Sequence, residues 1–350
     1  MNTKKSEGRL ICEKECAKIE NKKIKDFTLA RKIFNNKKYK GVFKYEEQVR
    51  SFIRIIREHN GVQRRKYATQ PKPRTYDNTH SAPAYKKVEN LHAKVLLLDI
   101  ETAPIKAYVW QLWKQNVSIN QIVNDWFVFT WAAKWLFEDK VYSMKLTRQE
   151  ALKQDDKRIM QGIHKMLNEA DIVISHNGKR FDLPRLNTRF IIHGMMPPLP
   201  YQQIDTFDSM KKIAGFTSNK QDFFNMVLHS PRKIDTGGFE LWDECYNGNM
   251  ESMSKMQEYN IWDVKSLEEN YIKLRPFIVP HPNMGLFIMD GLERCPSCGS
   301  NDLHDCHKDY MTTVSVFELR KCNNCGANSR VRKSKSSPLE KRGVLSSSPR

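Results

Sequence analysis

The sequence predicts an α/β fold, in which a mixed sheet is flanked by helices, followed by a small four-cysteine module. Two observations predict the sheet: short apolar or β-branched runs come first in the middle of the 350-residue chain, and amphipathic helices then alternate with further runs. A third observation, two C-x-x-C pairs near the C-terminus, predicts the separate module. A chain of this length can form one large domain together with one or two small ones.

The predicted strands begin at residue 95. Val95–Ile100 is a short apolar run, and Trp126–Phe137 is rich in β-branched and aromatic residues. Val141–Leu146 is the predicted hairpin partner of the second strand, because a short charged turn separates the two runs. Asp171–Ser175 is a further apolar run, and it lies between two predicted helices. The order of these elements therefore favours one sheet with helices on its faces.

Apolar residues with helical spacing predict four helices, at Tyr45–His59, Asp156–Glu169, Leu183–His193 and Ser252–Leu274. In the first of these, apolar residues recur at i, i+3, i+4 and i+7, and Asn60-Gly61 provides a stop signal. This helix lies between basic flanks. Two interpretations stay open for it, a small DNA-binding unit or a helix that docks on the enzyme body.

The net charge of +19 is concentrated at the two ends of the chain. Residues 1–90 contain 24 basic and 10 acidic residues, and residues 326–350 contain 7 basic and 1 acidic residue. Residues 91–325, between them, contain 28 basic and 29 acidic residues. Two basic arms on a near-neutral body favour a polyanionic partner such as nucleic acid, although a solvated lysine-rich surface has the same composition. The predicted divisions are a basic N-terminal helical region at 1–66, a linker at 67–92, the α/β domain at 93–280, the four-cysteine module at 290–330 and a disordered basic tail at 331–350.

The sequence also predicts the compartment. No apolar run approaches the ~18 residues of a membrane span, and the first thirty residues lack the apolar core of a signal peptide. Four of the eight cysteines fall into paired C-x-x-C units, so the cysteines do not have the pattern of a secreted disulfide framework. We therefore expect no membrane association and a reducing cytoplasm, whether bacterial, archaeal or that of a host cell for a viral or phage protein.

Four acidic residues and a tyrosine are the candidate catalytic residues. Asp99 and Glu101 end the first strand and share one of its faces, because side chains alternate along a strand. Asp182 opens a predicted helix, and Tyr259 and Asp263 lie four residues apart on another. Taken alone, each motif has another explanation. Asp99 and Glu101 could be surface residues at a strand end, and Asp182 could be a helix N-cap. Tyr259 could lie on a half-buried helix face, with Asp263 exposed to solvent. Converging buried carboxylates repel one another, however, and together they favour a divalent cation in an enzyme that acts on phosphodiesters.

The order and spacing of these residues resemble a known family. In sequence, the three motifs are Asp99-Ile100-Glu101-Thr102, His176-Asn177-Gly178-(x2)-Phe181-Asp182 and Tyr259-(x3)-Asp263. Over residues 93–276 they resemble the DnaQ-like DEDD 3′–5′ exonucleases, which have a ribonuclease-H-like fold. The tyrosine branch of that family is indicated, because Glu258 stands where the histidine branch has His. The resemblance is greatest to stand-alone exonuclease domains related to the proofreading domains of family-B polymerases. The residues outside this region are too few to form a polymerase domain.

The resemblance implies a two-metal 3′–5′ exonuclease that releases 5′-mononucleotides, most naturally from single-stranded DNA. By this resemblance Asp99 bridges two Mg²⁺ or Mn²⁺ ions, Glu101 and Asp263 complete the site of the attacking water, and Asp182 supports the second ion. Tyr259 orients the water or the phosphate. Asn177 is a predicted nucleic-acid contact, and proteins of DNA replication or repair are the implied partners. An RNA-directed or structure-selective nuclease on the same fold and a non-catalytic nucleic-acid-binding adaptor stay open as alternatives.

The two C-x-x-C pairs predict a zinc ribbon with one structural Zn²⁺. The predicted ligands are Cys295, Cys298, Cys322 and Cys325, and each pair is followed by a glycine that permits the tight turn around the metal. Disulfides are the alternative, which a reducing compartment disfavours. The basic residues that follow, Arg330, Arg332 and Lys333, are predicted to contact nucleic acid, and a protein-binding role for the ribbon stays open.

Overall fold

A computed structural model describes residues 7–18, 21, 24–43, 46–59, 87–88, 91–231 and 236–346. The chain divides into two compact units, Met1–Asp77 and Asn78–Arg350. Most of the linker predicted at 67–92 lies outside the described residues, so this boundary stays a prediction.

The first unit contains three helices, α1 (Glu7–Ala17), α2 (Asp26–Phe34) and α3 (Glu46–His59). The apolar face predicted for α3 is buried in their shared core, where its residues pack with α1 and α2. Cys12 and Cys16 belong to this core, and burial raises the pKa of the Cys12 thiol to about 12. These two cysteines are thus packing residues in a small helical unit.

The second unit is built on a five-stranded mixed sheet with the order β5-β4-β1-β6-β7. Its strands are β1 (Val95–Thr102), β4 (Val128–Trp135), β5 (Val141–Lys145), β6 (Ile172–Ser175) and β7 (Gln202–Asp205), and β2 (Lys106–Ala107) and β3 (Ile122–Asn124) form a separate hairpin. Strand β1 is central, antiparallel to β4 and parallel to β6. The strand that carries two candidate catalytic residues therefore lies in the middle of the sheet.

Helices cover both faces of this sheet. They are α4 (Arg148–Lys153), α5 (Lys157–Glu169), α6 (Asp182–Ile192), α7 (Thr206–Ile213), α8 (Gln221–Val227), α9 (Glu240–Tyr246) and α10 (Met250–Leu274). On one face Leu96, Leu98 and Ile100 of β1 pack in a core with α5, α6 and α9. On the other face Val95 and Leu97 pack against the C-terminal half of α10, with α7 and α8. The alternation along β1 thus assigns its odd-numbered residues to the α10 face.

The C-terminal module is a three-stranded antiparallel sheet, with β9 (Val316–Cys322) between β8 (Leu303–Met311) and β10 (Asn328–Arg330). The linker before this module contacts both neighbours. The hydroxyl of Tyr271 on α10 lies 2.9 Å from Nε2 of His281 in the linker, and the amide of Met284 in the linker donates to the carbonyl of Pro296 in the module at 2.8 Å. Burial lowers the pKa of His281 to about 4, so this contact is formed by a neutral imidazole.

The disordered tail expected at 331–350 stays a prediction, and the described residues 331–346 make local hydrogen bonds. The amides of Val331 and Lys335 donate to β9, at Glu318 and Val316, and the short helix α11 (Pro338–Lys341) follows. A capping box at Ser337 starts this helix, because its side chain and that of Glu340 satisfy each other's backbone amides. Composition alone missed this local pairing, and residues 347–350 lie outside the described part of the chain.

None of the helices in the described ranges combines the length and the apolar composition that a membrane span requires.

Candidate active site and metal centres

Strand β1 brings Asp99 and Glu101 to the face of the sheet that α10 covers. Both have the odd parity of Val95 and Leu97, which pack against α10, so the same face changes from apolar to acidic at the end of the strand. One oxygen atom from each of Asp99, Glu101 and Asp263 lies within 4.8 Å of the other two. Two of the three predicted motifs therefore meet in one carboxylate cluster, defined here as these three residues.

Helix α10 supplies the third motif. Asp263 is buried, with 2 % of its surface exposed, and Tyr259 lies one turn before it and is half-buried. The Tyr259 ring packs at the margin of the core that contains Met253 and Met256. Since residues four apart share one side of a helix, Tyr259 and Asp263 are presented together.

Asn260 is a member of the site that the sequence analysis did not identify. Its Nδ2 donates to Oδ2 of Asp99 at 2.6 Å, although the two residues are 161 positions apart in the sequence. The side chain is wholly buried, and among the described atoms its Oδ1 has no hydrogen-bond partner. A buried amide that donates to a carboxylate fixes the direction of that carboxylate, so Asn260 positions Asp99.

Asp182 lies beside the cluster and, within the described part of the chain, is not one of its members. It is the first residue of α6, it is buried, and its Oδ1 accepts a hydrogen bond from the amide of Ile100 at 3.1 Å. The pKa of this carboxyl is raised to about 7, chiefly by burial and also by the nearby charge of Asp205, against the lowering effect of the Ile100 amide. A cation bound nearby would favour its ionised form.

The loop before Asp182 is held by a residue that sequence reasoning missed, Asp205. Its carboxylate accepts hydrogen bonds from the amides of Asn177 and Lys179, at 2.9 and 3.0 Å, while it also caps the start of α7. His176 is fixed from the other side, between the hydroxyl of Thr206 and a backbone carbonyl. Asn177 has a φ of +67°, a conformation that asparagine tolerates better than most residues. Its contact with nucleic acid stays a prediction.

Gly178 is required by close packing in this loop. A Cβ atom at this position would lie 2.2 Å from Oγ of Ser175 and 3.3 Å from Oδ2 of Asp182. The structure must shift to admit a methyl group, and the Ser175 and Asp182 side chains are the groups in its way. The second motif thus needs glycine for space, since the φ of Gly178 is not in the left-handed region.

If this site cleaves nucleic acid, Gly178→Ala is expected to reduce the rate about tenfold or more, because the added methyl group would crowd Ser175 and Asp182. Overpacking of this kind should also lower the free energy of unfolding by about 1–3 kcal/mol. The measurements are kcat on a labelled oligonucleotide and the urea midpoint. Gly215→Ala is the matched control, because a Cβ there meets nothing within 4 Å, and it should change neither quantity. Equal behaviour of the two variants would show that the space around Gly178 is not critical.

The donor set of the carboxylate cluster fits a divalent cation. Three carboxylate oxygens within 4.8 Å of one another repel, and Asp263 has little access to water that would screen this repulsion. Oxygen ligands of this kind suit hard ions such as Mg²⁺ or Mn²⁺. Asp99, Glu101 and Asp263 are therefore the residues that would hold the ion, with Asp182 next to them.

Comparison with known proteins identifies the family. The sequence model of the RNase H superfamily matches residues 96–275, which span β1 to the end of α10. The chain belongs to the RNase H superfamily. This match and the five-stranded sheet with its flanking helices confirm the predicted ribonuclease-H-like α/β fold.

Two further comparisons complete the picture. Among solved structures, the family B DNA polymerase from the hyperthermophilic archaeon Pyrobaculum calidifontis is similar, with 16% identity and a TM-score of 0.41. The similarity covers 57% of this chain and 26% of that chain, so the matched region spans about a quarter of the length of the polymerase. The search of curated proteins finds no match to the sequence.

The C-terminal module of this RNase H superfamily member gathers all four predicted cysteines. Their Sγ atoms lie within 4.8 Å of one another, and the Cys295–Cys325 and Cys298–Cys322 pairs are each 3.6 Å apart. Four thiolates at ~2.3 Å from a tetrahedral zinc ion would be separated by ~3.8 Å, whereas a disulfide requires ~2.0 Å. The cluster therefore fits a zinc ribbon and not a disulfide pair.

The turns around these cysteines have the form that a metal knuckle needs. The amides of Gly299 and Gly326 donate to the carbonyls of Cys295 and Cys322, at 2.8 and 2.9 Å. Both glycines have a positive φ, +78° and +79°, which disfavours any residue with a side chain. In contrast Cys306 lies on β8, half-exposed and outside the cluster.

The three basic residues predicted to contact nucleic acid line one groove of the ribbon. Arg330, Arg332 and Lys333 are exposed there, beside Arg294 and Arg320. The guanidinium of Arg330 lies 4.2 Å from the ring centroid of Phe317, which supports an extended side chain. Contact of these residues with nucleic acid stays a prediction.

Proposed function

We propose that this protein is a metal-dependent 3′–5′ exonuclease that hydrolyses the terminal phosphodiester of single-stranded DNA and releases 5′-mononucleotides. The observation that carries the proposal is the cluster of Asp99, Glu101 and Asp263, with Tyr259 one helical turn before Asp263. Membership of the RNase H superfamily supports nuclease chemistry at this place in the fold.

Each residue has a role that follows from its position. Bound Mg²⁺ or Mn²⁺ would supply a water of lowered pKa and would offset the negative charge that develops on the phosphate. Asp99, Glu101 and Asp263 are the residues that would hold the ion, and Asn260 keeps Asp99 in one orientation. The phenol of Tyr259 donates a hydrogen bond to the attacking water or to the scissile phosphate.

Charge outside the catalytic domain supports a polyanionic substrate. The near-neutral middle of the chain contains the carboxylates, whereas both ends are strongly basic. Phosphate contacts from these arms and from the ribbon groove would strengthen binding without regard to base sequence. Binding should therefore weaken steeply as the salt concentration rises.

An oligonucleotide panel tests the proposal. Single-stranded DNA labelled at the 5′ end should shorten progressively with Mg²⁺ or Mn²⁺, the 3′-labelled strand should lose its label first, and EDTA should stop both reactions. The same strand as RNA, a duplex and a circular single strand are tested in parallel. Preference for RNA or for the duplex supports the alternative nuclease, cuts in the circle indicate an endonuclease, and binding without cleavage in every metal supports the adaptor. Any of these results contradicts the proposal.

A further inference from the structure

An exposed aromatic loop follows the strand that carries Asp99 and Glu101. The loop joins β2 to β3, and its large side chains point into solvent: Trp110 is 92 % exposed and Trp113 is 82 % exposed. Its other exposed apolar residues are Tyr108, Val109, Leu112, Val117 and Ile119. Tryptophan is seldom so exposed in a soluble protein, and a cluster of this kind marks a binding surface.

The loop has a defined internal structure. Oε1 of Gln115 accepts hydrogen bonds from the amides of Trp110 and Gln111, at 3.0 and 3.2 Å. Gln121 binds Ser118 through its Oε1 and the carbonyl of Tyr108 through its Nε2, both at 2.9 Å. The polar side chains thus satisfy the backbone inside the loop. The indole rings are left facing outwards, which limits the entropy lost when they bind a ligand.

The base of this hairpin is fixed next to the candidate active site. The amide of Ala103, two residues after Glu101, donates to the carbonyl of Phe127 at 2.8 Å and so ties both ends of the insertion to β1 and β4. Nζ of Lys106 lies 3.6 Å from the ring centroid of Tyr246 and anchors the hairpin to α9. A cleft lined in part by Thr102, Ile105 and Trp126 lies between the end of β1 and the start of the hairpin. The hairpin therefore begins within a few residues of the carboxylate cluster.

Composition decides which ligand suits the loop. From Ala103 to Asn124 the chain has two lysines, Lys106 and Lys114, and no acidic residue. Lys106 pairs with Asp243 at 3.7 Å at the base of the hairpin, whereas Lys114 is exposed in the loop next to Trp113. The ring of Trp110 is open to solvent in the same loop. Base stacking on aromatic rings beside basic residues is the usual way in which proteins hold unpaired nucleic acid.

We propose that Trp110 and Trp113 stack on unpaired bases of the substrate strand, on the 5′ side of the terminal nucleotide. This inference rests on the proposed function and extends it, because it assigns a second contact outside the carboxylate cluster. This stacking contact would make the enzyme selective for single strands long enough to reach from the carboxylate cluster to the loop. A duplex presents no unstacked bases to the loop, so it gains nothing from this contact.

The test measures binding and cleavage separately. Binding is followed by fluorescence anisotropy of a labelled single strand of about 20 nucleotides in EDTA, where cleavage is absent. The double variant W110A/W113A should weaken binding about tenfold or more and should raise KM on this strand by a similar factor. Its kcat, and its KM on a strand of about five nucleotides, should stay within about twofold of the unaltered protein. W110F/W113F should retain most of the binding, because phenylalanine also stacks.

Leu112→Ala is the matched control, because Leu112 is as exposed as the two tryptophans and has no aromatic face. It should leave binding within about twofold. An effect as large as that of W110A/W113A would overturn the proposal, because it would indicate a generic apolar contact such as a protein partner. Unchanged binding by W110A/W113A, or a change only in self-association measured by sedimentation, would overturn it as well.

The two proposals fail in different ways. If the protein degrades single strands and W110A/W113A binds them normally, the loop proposal is wrong and the exonuclease stands. If no metal supports cleavage and the loop variants still lose binding, the exonuclease is wrong and stacking by the loop stands.

Discussion

Asp99→Ala is expected to lower the rate of nucleotide release by at least about a thousandfold, which corresponds to about 4 kcal/mol of transition-state stabilisation. Asp99 belongs to the only cluster of three acidic groups among the described residues that has the spacing of a metal site. Its removal would take one oxygen ligand from a bound cation and would leave Asn260 without the carboxylate it positions. Several kilocalories per mole are the usual contribution of such an ion to phosphoryl transfer.

A second readout separates loss of metal from loss of fold. In the unaltered protein, Mn²⁺ should raise the melting temperature, because the ion binds only the folded state. In Asp99→Ala this shift should largely disappear, while the melting temperature in EDTA changes little. Asp139→Ala is the matched control, since Asp139 is an exposed acid in the turn between β4 and β5. It should keep both the activity and the Mn²⁺ shift; an Asp99→Ala enzyme of normal activity would exclude this site as the catalytic centre.

Cys322→Ser is expected to release the structural metal and to unfold the ribbon. The unaltered protein should contain one zinc ion per chain, and binding to four thiolates stabilises such modules by on the order of 10 kcal/mol. Replacing one buried thiolate weakens this coordination, and few buried apolar side chains remain to hold β8, β9 and β10 together. Zinc content by elemental analysis and limited proteolysis after residue 290 measure the two effects.

The control for this variant is a cysteine in the same three-stranded sheet. Cys306→Ser alters a half-exposed cysteine of β8 outside the cluster, so it should retain zinc and resist proteolysis. A protein that contains no zinc and shows disulfides between the cysteine pairs would contradict the assignment. A Cys322→Ser variant that keeps a full complement of zinc would contradict it too.

The sequence predicted those parts of the molecule that depend on local pattern. The apolar run of β1 defined its strand, and the spacing of Tyr259 and Asp263 placed both on one side of α10. The cysteine knuckles were equally visible, because ligand spacing and glycine are both local signals. In these cases the chain carries the information within a few residues.

Long-range contacts were not predictable in this way. Asn260 becomes part of the site only through the register of α10 against β1, which no local pattern encodes. Asp205 ends β7, a strand whose first two residues are exposed, so its apolar signal is weak. Trp110 and Trp113 would be assigned to a core from composition alone, yet the structure leaves them in solvent. Apolar residues around them recur with neither helical nor alternating spacing, and this lack of periodicity could have indicated that they lie in an exposed loop.

Helix α10 connects the carboxylate cluster with the linker of the four-cysteine module. Asp263 lies near the middle of the helix, and Tyr271, which contacts His281 of that linker, lies eight residues further on, a rise of about 12 Å. Each residue inserted or deleted in this stretch would rotate the module by about 100° about the helix axis. Natural variation here should therefore consist of substitutions and not of length changes, and an engineered insertion would change the direction of the basic groove relative to the carboxylate cluster.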